Sequence, residues 1–412
     1  MGARAVRKKG AGGKGALKGV PKGATQETAA AKKVAETVIV QGLPELVALS
    51  HSIHSTPELC YNETRSASAV ADALRAGGLE VTEGAYEIET ALESRSGTGE
   101  LVIALCAEYD ALPEVGHACG HNIIAASAVG AGLALAAVAD QIGLQVRVLG
   151  TPAEEGGGGK ILMLDRGAFA GVHAAMMVHP WPTERLTGSC LAVAHFDVHF
   201  SGKEAHASAA PWEGVNALDA MTISQVALGL LRQQLPPGDQ VHGVITRGGG
   251  GANVIPAAVT GRYMARSLTI GGLETLEPRI RACFEAGALA TGCTVAYQKL
   301  SPDYSHMEVD PALLAAYRVN AESLGRHFDA DDEGTPLPTF STDMANVSLA
   351  VPTIHPLIGI AAGGAVNHQH EFAAACITPS ADAAVRDGAL ALAWTAIDAA
   401  TDPVLRQRLL RV

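Results

Sequence analysis

Three short apolar runs, LVIALCAEYD (101–110), QVRVLGTPAEE (145–155) and AAMMVHPWP (174–182), each end in a polar cluster and are separated by helical stretches. Runs this short, bounded by turn residues, read as buried strands. The long Ala- and Gly-rich run Ile123–Asp140 and the shorter ILMLDRGAF read as the intervening helices. Strands alternating with helices predict an α/β layer around a mostly parallel sheet. In open sheets of this kind, ligands bind in the crevice outside the carboxyl ends of the strands. Asp110, Glu154 with Glu155, and His179 all fall there, whatever each of them binds.

The texture changes after Leu191. AVAHFDVHFSG alternates like a half-exposed strand, and NALDAMTISQVALGLLRQQ follows as an amphipathic helix. VHGVITRGGGGANVIPAAVTGRYMARSL then reads as strands around a Gly-rich turn, before a second helix and the strand CTVAYQKL. Strand–helix–strand–strand–helix–strand predicts a two-layer, ferredoxin-like α+β insert over 191–301. The expected organisation is a three-layer α/β/α domain from 34–190 and 302–412, interrupted by that insert. A chain of 412 residues is long enough for both.

Charge is uneven. Residues 1–33 carry nine Lys or Arg against Glu27 alone, a net +8, leaving −20 of the total −12 for the rest. The acidic body excludes nucleic acid as the main partner. The basic stretch lacks an apolar face and is expected to be a disordered tail. It also lacks the apolar centre of a secretory signal. The seven cysteines are odd in number and irregular in spacing, which fits free thiols in a reducing cytoplasm. The longest apolar run follows GHACGHN directly and is Ala- and Gly-rich, so it is expected to be a buried helix, not a membrane span.

Four segments carry the chemistry. GHACGH places Cys119 and His121 in one Gly-containing turn. A thiolate and a neutral imidazole suit zinc, although the same pair also fits a nucleophile with its base, or a buried structural pair. TPAEEGGGG sets Glu154 beside Glu155 after a strand. Adjacent residues face different ways, so one can hold a metal while the other moves a proton. Two solvated acids on a surface turn would give the same letters, but the glycine run lets backbone approach a ligand. His179 is expected to end an apolar strand before Pro-Trp-Pro, and NHQHEF offers His368 and His370.

Together, EYDALPEVGHACGHN, GTPAEEGGGGK, KEAHASAAPWEGVNALDA, STDMANVS and NHQHEF resemble a family of dinuclear zinc hydrolases. That family includes bacterial glutamate carboxypeptidase, aminoacylases and plant auxin-conjugate amidohydrolases. The similarity runs from about residue 45 to 395 and is greatest to the dipeptidase and aminobenzoyl-glutamate hydrolase branch. The resemblance implies that Cys119, His121, Glu155, His179 and His368 ligate two divalent metals, zinc first, with manganese or cobalt as alternatives. It implies Glu154 as the catalytic base, and Asp110 behind the metals, orienting a ligand. Much of the wider family has His-x-Asp where this chain has Glu108-Tyr109-Asp110, which points to the Cys-type ligand set. The insert resembles the family's lid and dimerisation domain. There His206 would polarise the scissile carbonyl across a homodimer, Asn253 would contact substrate, and Arg266 would pair with a substrate carboxylate.

The expected function is hydrolysis of the amide bond in small N-acyl amino acids, aminobenzoyl-glutamate-like conjugates or dipeptides by metal-activated water. Lid closure on hinges near residues 190 and 302 would assemble the site. Two other classes remain open at this point: a metal-independent thiol hydrolase using Cys119, and a non-catalytic binder on the same fold.

Overall fold

A computed structural model describes residues 25–329 and 336–411. Its main sheet has six strands in the order Val81–Glu83, Leu92–Ser96, Leu144–Gly150, Leu101–Ala107, Ala174–Met176, Thr353–Ile354. The last four run parallel, and the first two form an antiparallel edge. Every residue of Leu101–Ala107 is buried, because both faces of the sheet are covered. Leu101, Ile103, Leu105 and Ala107 face a core built with the helices His121–Ala136 and Pro379–Thr401. Val102, Ala104 and Cys106 face a second core with Met163, Phe169 and Met344. The scarcity of aromatics is met by close approach of small residues. A Cβ on Gly132 of the buried helix would lie 2.3 Å from Val148 on the sheet.

The second unit is a four-stranded antiparallel sheet in the order Thr294–Lys299, Ala192–Ser201, Ala258–Ser267, Gln240–Arg247. Helices Ala217–Leu231 and Ile270–Thr291 pack on it around Phe196, Phe200, Tyr263 and Phe284. Each helix links two parallel strands that flank an antiparallel one, the split arrangement of a ferredoxin-like fold. The two units join where Val193 and Tyr304 pair through their backbones, and where the Leu191 N–H donates to the Phe340 carbonyl at 3.1 Å.

Two expectations need correction. The basic stretch does not stay irregular to residue 33. A helix spans Gln26–Gln41, capped by the Thr25 side chain. Thr28, Ala31, Ala35 and Ile39 recur at helical spacing and are buried, while Lys32 reaches Asp398 at 2.7 Å and Asn320 at 2.8 Å. Charges on one face hid a small-residue stripe on the other. The remainder of the expected tail, residues 1–24, lies outside the described residues. His179 also does not end the strand Ala174–Met176. It opens a separate strand, His179–Trp181, paired in parallel with Leu357–Gly359.

Candidate active site

The strand ends and the turns after them converge on one cleft of about 560 Å³ between the two units, lined by Cys119, Glu154, Glu155, His179 and His368 among others. Unusual backbone shapes bring them together. Gly120 sits at φ +78 between Cys119 and His121, and a Cβ there would meet Pro180 at 2.8 Å. Ala153 adopts φ +59 just before the glutamates. A left-handed conformation costs an alanine roughly 1–2 kcal/mol, so surrounding contacts must hold it. His368 is likewise at φ +72, with its N–H donated to the Ala118 carbonyl at 2.9 Å.

Cys119 Sγ lies 3.6 Å from His179 Nε2 and 3.6 Å from His368 Nε2. His121 Nε2 is 3.8 Å from a carboxylate oxygen of Glu154 and 3.8 Å from one of Glu155. His368 Nε2 is 3.9 Å from the other Glu155 oxygen. Three trios have donor atoms within 4.8 Å of one another: Cys119–His121–His179, Cys119–Glu155–His368 and His121–Glu154–Glu155. Second partners set the ring orientations. His121 Nδ1 donates to Asp110 Oδ1 at 2.9 Å, and His179 Nδ1 donates to the Pro180 carbonyl at 2.9 Å. Both Nε2 atoms therefore turn toward the cluster. Asp110 Oδ2 also accepts the Glu155 N–H at 2.9 Å.

The residues fit divalent metal. His121 Nε2 and Glu155 Oε1 are buried and have no hydrogen-bond partner among the described residues. Such orphaned atoms need a ligand, and a set of thiol, imidazole and carboxylate donors is that of zinc-like ions. Burial first, then Glu155 and Glu108, push the Glu154 carboxyl well above its usual range. Burial, then His355 and His121, hold the His179 imidazole well below its usual value, neutral and able to ligate. Burial and the nearby Glu155 keep the Cys119 thiol high, the opposite of an activated metal-free nucleophile.

The predicted lid residues divide. Arg266 lines the cleft, half-buried, with its guanidinium donating to Ser341 Oγ at 3.0 Å. His206 and Asn253 are exposed and do not line it. They sit side by side, the Ala207 N–H donating to the Asn253 carbonyl at 3.0 Å. His206 Nδ1 accepts the Ser208 and Ala209 N–H groups, which leaves Nε2 as the donor of that ring.

Several residues around the site were not singled out from the sequence. Lys160 is fully buried, 2.5 Å from Glu108 and 2.7 Å from Asp343. Burial would lower its pKa, but the two carboxylates outweigh that and hold it charged. The other Glu108 oxygen lies 3.5 Å from His121 Nε2. His355, Trp181, Phe340 and Tyr304 also line the cleft. The available signals were Lys160 directly after the glycine run and Asp343 inside FSTDMANVS.

The profile of Peptidase family M20/M25/M40 matches residues 104–386, more than half of the chain. The Xaa-Arg dipeptidase of Mus musculus is 38% identical over 391 residues, 91% of this chain and 90% of the relative. One of the p-aminobenzoyl-glutamate hydrolase polypeptides of Escherichia coli K12 is 33% identical over 60% of this chain and 56% of its own length. Among solved structures, a dinuclear metal-binding M20 peptidase from Bacillus subtilis superposes with a TM-score of 0.64 at 20% identity, covering 86% of this chain and 98% of that one. Profile, relatives and fold agree with the donor cluster, and the metal-free thiol and non-catalytic readings fall away: the chain is a metallo-hydrolase belonging to Peptidase family M20/M25/M40.

Proposed function

We propose that this enzyme hydrolyses the amide bond of small dipeptides or N-acyl amino acids that carry a free carboxylate. The observation that carries the reading is the cluster of three donor trios with Glu154 at its edge. Cys119, His121, Glu155, His179 and His368 would hold two divalent ions, zinc first, which supply Lewis acidity and a more acidic water when bound. Glu154 takes the proton from the attacking water and passes it to the leaving amine, a role its raised proton affinity suits. Arg266 pairs with the substrate carboxylate through its guanidinium fork. The apolar walls of the cleft, Trp181, Phe340, Leu112 and Met264, would take the side chain or acyl group. The relatives that act on Xaa-Arg dipeptides and p-aminobenzoyl-glutamate support this substrate class.

The unit spanning 191–301 would act as lid and dimer interface. Its Trp212, Val226, Leu230 and Val244 are between 58% and 77% exposed, and Gln240–Arg247 is an edge strand. A homodimer would cover that surface and bring the partner's His206 Nε2–H to the scissile carbonyl, with Asn253 beside it. Seven free cysteines fit a cytoplasmic setting. Among the described residues no helix is long and apolar enough to cross a membrane.

The test is a hydrolysis screen over Xaa-Arg and other dipeptides, p-aminobenzoyl-glutamate and N-acetyl amino acids, run on metal-loaded and chelator-stripped protein. The proposal requires cleavage that disappears on stripping and returns with zinc, manganese or cobalt. Cleavage indifferent to metal contradicts it.

A further inference from the structure

The turn presenting Glu154 and Glu155 is held at three points by side chains from distant parts of the chain. The Ala153 N–H donates to Glu63 Oε1 at 2.9 Å, and the Glu155 N–H donates to Asp110 Oδ2 at 2.9 Å. Between them, the Tyr304 hydroxyl donates to the Glu154 carbonyl at 2.7 Å and accepts the Gly158 N–H at 2.9 Å. Glu63 and Asp110 belong wholly to the larger unit. Tyr304 does not. Its backbone pairs in both directions with Val193, at 2.9 and 3.0 Å, and Val193 lies in the strand Ala192–Ser201 of the smaller unit. Its ring packs with Ile161 and Val193, with Met264 of the smaller unit against them.

We propose that Tyr304 is a positioning residue that couples the smaller unit to the catalytic base. One phenol bridges the Glu154 carbonyl, which also accepts the Gly156 N–H at 2.8 Å, and the Gly158 N–H, and so fixes with Asp110 the orientation of the peptide that follows Glu154. Its backbone is fixed to the strand that leads into the smaller unit. A shift of that strand against the main sheet would be carried to the Glu154 turn by this side chain. Hydrogen bonds weaken steeply with misalignment, and small displacements of a reacting group cost rate out of proportion. The inference rests on Glu154 being the base.

Tyr304→Phe keeps the ring and the Val193 pairing and removes only the hydroxyl. It is assayed beside Glu154→Gln in the metal-loaded full-length enzyme, with an Xaa-Arg dipeptide and with p-aminobenzoyl-glutamate. The expected result for Tyr304→Phe is a kcat lower by on the order of 10- to 100-fold, with KM and metal content near wild type. Hydrogen–deuterium exchange should quicken across 152–160 and not in the strand 101–107. Wild-type kcat per metal-loaded site in Tyr304→Phe, with Glu154→Gln inactive, overturns the coupling alone. Unchanged exchange across 152–160 does the same, with or without turnover. Retained turnover in Glu154→Gln overturns the base assignment and the coupling with it.

Discussion

His121 donates from Nδ1 to Asp110 Oδ1 across 2.9 Å, and both side chains are fully buried. The same carboxylate accepts the Glu155 N–H, so one residue fixes a ring and a neighbouring acid. Removing it should loosen the donor set before it harms the fold. Asp110→Ala is expected to weaken metal binding about 10- to 100-fold, as loss of such an outer partner does. Metal titration by calorimetry reads this directly. Wild-type affinity would show that Asp110 does not orient the site.

Lys160 sits between Glu108 and Asp343, and all three side chains are fully buried. Lys160→Met should leave buried acid uncompensated. The expected loss is about 3–5 kcal/mol in urea unfolding at neutral pH, the range for breaking a buried ion pair. Asp343→Asn should cost less, because Lys160 keeps Glu108. Equal stability of Lys160→Met and wild type would mean the pair is solvated.

Glu63 titrates oddly. Burial, then the Asp110 charge, raise its pKa from 4.5 to about 7. The folded state therefore holds a proton that the unfolded chain releases. The stability this contributes is full below pH 4.5 and is lost as pH rises through about 7. Glu63→Gln cannot titrate. The stability of wild type relative to Glu63→Gln should fall between those limits, by at most about 1.4 kcal/mol per pH unit. A parallel pair of curves would contradict the buried proton.

Arg266 faces the cleft with Ser341 as its hydrogen-bonding oxygen. If it holds the substrate carboxylate, Arg266→Ala should raise KM about 10- to 100-fold, the loss of one charge-assisted contact, with a smaller change in kcat. Arg266→Lys should recover part of the loss. An unchanged KM on every carboxylate substrate would remove it from the binding site.

The legible parts of the fold were those with local signatures. Leu101–Ala107 is apolar at every position because it is buried on both faces, and its carboxyl end points to the site. Cys119, His121, Glu154, Glu155, His179 and His368 are chemically distinctive, and the structure brings them into one cluster. Lys160 and Asp343 were not legible, because a buried lysine is recognisable only by its partners, here an acid 183 residues away. The start of the helix Gln26–Gln41 was obscured by lysines that lie outside its small-residue stripe. The break before His179 depends on pairing with Leu357–Gly359, which nothing local announces. His206 and Asn253 stay outside the cleft of a single chain, so the roles proposed for them would need a second copy.

The central claim is that Glu154 moves the proton while its neighbours hold the metals. The most direct measurement is turnover of Glu154→Gln with metal content determined on the same sample. The account predicts two ions per chain, a wild-type fold, and a rate reduced by about 100- to 10,000-fold, the usual contribution of a general base. Turnover near wild type in fully loaded Glu154→Gln would contradict it.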